Sequence, residues 1–207
     1  MIEWLERVIP RPELVPDPPP QKEAMQRVTR QAAFEPESWT PERAAKVNAL
    51  FDELAPSWND RYSVNRYEPL RDALGRGNAG RGRCLEVGSG TGLVTPILAA
   101  AFAPVIAVDL SHEMLARASG PRVETDANAL PFADASFDCA VLVNAILFPG
   151  EIDRVLRADA TVVWVNTRAD DTPIYLPPDD VAAALPGEWT GTAADAALGQ
   201  WCVLRRA

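Results

Sequence analysis

Residues 84–92 read Cys-Leu-Glu-Val-Gly-Ser-Gly-Thr-Gly: a short apolar run ending in three alternate glycines, with an acid two residues before the first. Glycine lets a backbone come close to a ligand without a Cβ in the way. A helix starting near Gly92 would turn free N–H groups and a positive dipole end toward the same place. A strand, a glycine turn and a helix N-terminus together make a nucleotide-type crevice. The spacing is GxGxG, with Leu93 where a dinucleotide-binding GxGxxG needs glycine, and no Lys-Ser/Thr pair follows as in a phosphate loop. Asp109 ends the next apolar run. An acid there can accept both hydroxyls of a ribose, which suits NAD and other adenosine cofactors alike. The single histidine, His112, sits one residue past a good helix cap, Ser111, and reads as exposed or adenosine-flanking. No Cys, His, Asp or Glu cluster has metal-ligand spacing, and one histidine in that position offers no Ser-His-Asp arrangement.

The elements that must hold these residues follow from periodicity. From residue 83, short apolar runs alternate with helical stretches: strands over 83–87, 104–108, 121–125, 137–143 and 160–166, helices over 92–102, 112–118 and 150–157. Such alternation predicts an α/β fold, a mainly parallel sheet with helices on both faces. A helix over 178–185 and a hairpin of 188–197 with 200–206 complete it. Before the sheet, helices are predicted over 21–33, from Pro41 onward behind the cap Thr40, and over 65–75. Val47, Leu50, Phe51 and Leu54 mark one buried helical face. Residues 1–9 are predicted as a short amphipathic helix, followed by a proline-dense, stiff linker over 10–20. The expected division is an arm (1–20), a helical cap (21–80) and a core (81–207).

Four stretches in order resemble the class I S-adenosylmethionine-dependent methyltransferases, closest to the ubiquinone/menaquinone-biosynthesis-type, small-molecule branch. Leu85–Gly92 is similar to the first motif, and Val108–Leu115 to the end of the second strand and the helix after it. Asp126-Ala127-Asn128-Ala129-Leu130-Pro131-Phe132 with Ser136-Phe137-Asp138 resembles the third-strand exit and fourth strand; Phe51–Trp58 resembles the helix preceding the core. The resemblance implies a Rossmann-like, seven-stranded, mainly parallel sheet whose last strand is antiparallel, topped by an N-terminal helical cap. It implies S-adenosylmethionine as cofactor and S-adenosylhomocysteine (SAH) as product. Cofactor contacts are implied at Glu86 (near the methionine ammonium), Gly88, Ser89, Gly90, Thr91, Gly92, Asp109, Leu110, Met114, Asp126 (accepting from the adenine amino group), Ala127 and Asn144. Asn144 is followed by Ala-Ile-Leu-Phe, so the amide-nitrogen methylase signature Asn-Pro-Pro-Tyr is absent. Methyl transfer from a sulfonium is an in-line displacement in which positioning can supply most of the rate, so no catalytic residue need be visible. Acceptor-side candidates come from the helices before the sheet and the loop after the fourth strand: Trp58, Tyr62, Tyr67 and Phe148.

Composition narrows the partners. The chain has 207 residues and net charge −9, with no basic stretch, which disfavours a nucleic-acid substrate. No apolar run approaches a membrane span, the N-terminus lacks a signal-peptide pattern, and three scattered cysteines suggest a reduced, cytoplasmic protein with no disulfide framework. A small-molecule acceptor is expected, and a homodimer through the proline arm is conceivable. The rival readings are a non-catalytic regulatory or partner-binding subunit, an RNA methyltransferase and an NAD-dependent dehydrogenase.

Overall fold

The apolar runs from residue 83 onward become strands whose side chains alternate between two buried faces. The structure, a computed structural model, describes residues 1–13, 22–61 and 64–207. Strands β1 (Ile2–Trp4), β2 (Cys84–Val87), β3 (Val105–Asp109), β4 (Arg122–Glu124), β5 (Phe137–Val143), β6 (Leu156–Asn166), β7 (Trp189–Ala196) and β8 (Gly199–Arg206) form one sheet in the order β1-β7-β8-β6-β5-β2-β3-β4. All neighbours pair in parallel except β8, which is antiparallel to both β6 and β7. On one face Leu85, Val87, Leu142, Val162 and Trp164 pack; on the other Cys84, Cys139, Val141, Val163 and Trp201. The three cysteines are free and buried, as their place in core strands implies.

The sheet has eight strands, not seven. Residues 2–4 are a strand, not part of the expected helix. They pair with β7, and Leu5 N–H donates to the Ala193 carbonyl at 2.8 Å while Ala197 N–H donates to the Ile9 carbonyl at 3.1 Å. Leu5 and Ile9 pack against the second face. Helical periodicity was present in this segment, but the open backbone edge of β7 offered it a ladder of hydrogen bonds, and covering an exposed edge outweighs weak helix propensity. Residues 14–20 of the proline linker lie outside the described residues.

Helices α1 (Lys22–Phe34) and α2 (Pro41–Leu54) form the cap, with 3₁₀ turns at Pro36–Ser38, Ala55–Arg61 and Val64–Tyr67. Thr40 caps α2 as its sequence suggests, its hydroxyl accepting from Arg43 N–H at 3.3 Å. Val47 is buried on that helix, but Leu50 is 40% exposed; the buried stripe runs through Ala44, Val47 and Phe51 instead. Helix α3 (Glu68–Arg76) packs on the second sheet face, where Asp72 receives the Trp201 indole N–H at 2.7 Å and a two-pronged Arg76. Helices α4 (Thr95–Ala99), α5 (His112–Leu115), α6 (Pro149–Val155) and α7 (Pro178–Ala184) are short. Among the described residues no helix is long and apolar enough to cross a membrane.

Candidate active site

Strand β2 has β3 on one side and β5 on the other, so the sheet order reverses there and a crevice opens at the strands' carboxyl ends. The glycine loop lines it. Gly88 has φ 65° and an added Cβ would lie 2.6 Å from Ala145 Cβ, at the end of β5. Gly90 has φ 56°, and a Cβ there would point between Trp58 Nε1 at 3.6 Å and Met114 Sδ at 3.9 Å, into the crevice. Gly92 serves packing: its Cβ would meet Ala118 at 3.2 Å, and it does not line the cleft. Thr91 also turns away, its hydroxyl donating to Asn59 Oδ1 at 2.6 Å and tying the loop to the cap. The helix expected from Gly92 begins only at Thr95 and lasts five residues. Pro96 has no N–H to give and fits only the first turn, so it delays the helix start and weakens the dipole contribution expected of it.

The acids are aimed by backbone donors. Asp109 accepts from Gly90 N–H (Oδ2, 2.7 Å) and from Ser111 N–H (Oδ1, 2.8 Å), and each oxygen keeps a lone pair for a further donor. Burial raises its pKa against the pull of those N–H groups, and the charge of Asp52 adds to the rise. Glu86 is 1% exposed and accepts from the Thr95 hydroxyl at 2.7 Å. Burial pushes its pKa up to about 7, with the Thr95 bond opposing and Asp109 reinforcing the shift. Asp126, at the exit of β4, accepts from Asn128 N–H at 2.8 Å and from the Trp39 indole N–H at 2.8 Å. His112 is exposed and bonded through Nδ1 to Glu124 at 2.8 Å, so it takes no part in the crevice.

The crevice measures about 950 Å³ with its open mouth included. Gly88, Ser89, Gly90, Asp109, Leu110, Met114, Asp126, Ala127 and Asn144 line it, as do Trp58, Tyr67 and Phe148. Tyr62 lies outside the described residues. Asn144, at φ 52°, spends its amide on Thr167: its Nδ2 donates to the hydroxyl at 2.8 Å and its Oδ1 accepts from the backbone N–H at 2.9 Å. That clamps the end of β5 to the end of β6, so strand termination is visible at Asn144 beside its place on the wall. Trp39, Phe51, Ile146 and Ile174 also line the crevice and escaped sequence reasoning. So did Asp52, which accepts from the Ser111 hydroxyl at 2.5 Å and pins α2 to α5. No local spacing marks Trp39, Ile146 or Ile174; Phe51 and Asp52 fell in the stretch with a family resemblance, Phe51 as a buried helical position.

A family model described as a methyltransferase domain matches residues 85–164, the span from the glycine loop through β6. These residues are thus similar to a methyltransferase domain. The chain is 40% identical over 121 residues to a phosphatidylethanolamine N-methyltransferase of Cereibacter sphaeroides, covering 50% of this chain and 59% of that one. It is 35% identical over 152 residues to a demethylmenaquinone methyltransferase of Clavibacter sepedonicus, covering 64% and 62%. The chain thus spans roughly three fifths of the length of these two relatives. In fold it resembles the DhpI–SAH complex, with a TM-score of 0.65 at 17% identity over 79% of this chain and 97% of the other. The crevice fits S-adenosylmethionine, the cofactor that the resemblance implies: Glu86 Oε1 and Ser89 Oγ are buried without a protein hydrogen-bond partner, and Gly90 leaves a cradle that any side chain would fill.

Proposed function

We propose that this protein transfers a methyl group from S-adenosylmethionine to a small, apolar acceptor by in-line displacement. One observation carries the reading: one crevice is lined both by polar groups (the glycine loop, Asp109, Asp126) and by large apolar side chains (Trp39, Phe51, Trp58, Ile146, Phe148). The bound cofactor supplies a methyl group on a good leaving group. The chain's part is to hold adenosine through Asp109, Asp126 and the N–H of Ala127, to take the methionine portion between Gly88–Gly90 and Glu86, and to keep water from the reacting atoms. Positioning and desolvation can supply the rate of such a displacement, and a protein base is needed only where the acceptor must lose a proton. The names of the two relatives point to phosphatidylethanolamine and a menaquinone precursor, both with apolar bodies, in keeping with the walls seen here.

The setting we propose is the cytoplasm, which agrees with three unpaired buried cysteines. Association through the N-terminal arm would use residues 1–20, of which residues 2–4 form the edge strand beside β7 with Trp4 and Val8 exposed. A chain starting at residue 21 tests this; an unchanged size in solution ends the dimer proposal. Calorimetry with SAH and with NAD tests the central reading, which predicts binding of SAH alone. Tight NAD binding without SAH binding refutes it. SAH binding with no methyl transfer across apolar amines, phenols and quinols favours a regulatory subunit, and steeply salt-dependent RNA binding revives an RNA substrate.

A further inference from the structure

Trp39 contacts both an acid and an aromatic residue of the crevice lining. Its indole N–H donates to Asp126 Oδ2 at 2.8 Å, and Asn128 N–H holds the other oxygen at 2.8 Å, so the carboxylate is fixed from both sides. Its ring meets Phe148 edge to face, with centroids 4.9 Å apart and planes at 68°. The side chain is 8% exposed and packs in the cap cluster with Val47, Ile146 and Ile174. Its backbone is set by the 3₁₀ turn before it, where Trp39 N–H donates to the Pro36 carbonyl at 3.1 Å, and by the Thr40 cap after it. A rigid indole therefore touches the acid assigned to adenine and the wall assigned to the acceptor.

We propose that Trp39 is a positioning residue that orients Asp126 for the adenine amino group and couples that acid to the acceptor wall through Phe148. The inference rests on the methyltransferase reading above. An aromatic pair of this geometry is worth enough to hold a ring in place, and a hydrogen bond to a carboxylate is stronger than a neutral one. When the acceptor wall moves, the indole moves, and Asp126 loses its aim; filling the cofactor site in turn stiffens the wall.

The test uses the full chain and SAH as probe. Trp39→Phe keeps a ring and deletes the donor; it should raise the SAH Kd about tenfold, the worth of one charge-assisted hydrogen bond. Asp126→Asn should also weaken SAH binding, and the double variant should be little worse than the worse single one, since both act through one contact. Phe148→Ala should raise the Kd about threefold when Trp39 is present and leave it unchanged in the Trp39→Phe background, on the same non-additivity. The indole N–H resonance of Trp39 gives a readout free of activity: it should shift in Asp126→Asn without ligand and in the wild type on adding SAH. Additive effects in the cycles, or an unchanged SAH Kd in folded Trp39→Phe, overturn the proposal. Failure of the wild type to bind SAH would instead count against the function itself. The ligand-free shift in Asp126→Asn would then still test the Trp39–Asp126 contact.

Discussion

Glu86 gives a pH dependence whose sign can be worked out. Its carboxyl is 1% exposed and titrates at about 7 in the folded protein, against 4.5 ordinarily, and burial is the main cause. Between those two values the folded chain binds a proton that the unfolded chain has released. Stability therefore falls as pH rises through that window, and the loss is complete above about 7. At about 1.4 kcal/mol per pH unit the full loss is roughly 3 kcal/mol. Other groups add pH dependence of both signs: Asp109 is raised, while Glu151 and Asp171 are lowered by Arg154 and Lys22. A difference measurement isolates Glu86. Glu86→Gln can still accept from the Thr95 hydroxyl and carries no charge at any pH. In urea unfolding without ligand, the variant should gain on the wild type by roughly 2.5 kcal/mol between pH 5 and pH 8, nearly all of it below pH 7.5. A difference that stays flat across that range would show that the buried carboxylate does not ionise as argued.

Three further outcomes are expected. Asp109→Ala removes the acceptor assigned to the ribose and frees Gly90 N–H and Ser111 N–H; SAH affinity should fall by roughly 2 kcal/mol, about thirtyfold, in calorimetry. Gly90→Val puts a branched side chain at φ 56° into the space between Trp58 and Met114. Circular dichroism should report an intact fold and calorimetry no SAH binding; wild-type affinity would remove the loop from the site. Asp72→Ala strands the Trp201 indole N–H and the Arg76 guanidinium at the α3–β8 contact, and should cost roughly 2–3 kcal/mol, a drop of about 4–12 °C in melting temperature.

The sequence by itself determined the features that a few neighbouring residues enforce. Gly88 and Gly90 are glycines because of left-handed backbone and close approach, Thr40-Pro41 starts a helix, and apolar alternation from residue 83 makes a parallel sheet; each requirement is local and leaves a mark in spacing. The acids were legible for the same reason, since a strand end is where a side chain reaches a ligand at the switch point. The tertiary structure alone decided the rest. Whether residues 2–4 coil or extend depended on the free edge of β7, about 190 residues away in sequence. Gly92 and Thr91 belong to the motif, yet face Ala118 and Asn59 rather than the cleft, because a turn's outward side is set by what packs on it. The apolar crevice wall of Trp39, Phe51, Ile146 and Ile174 is drawn from segments brought together only by packing of the N-terminal helices on the sheet. An apolar side chain in the core and one lining a ligand look alike in sequence, since both answer to the same hydrophobic drive. Only their neighbours in space tell them apart.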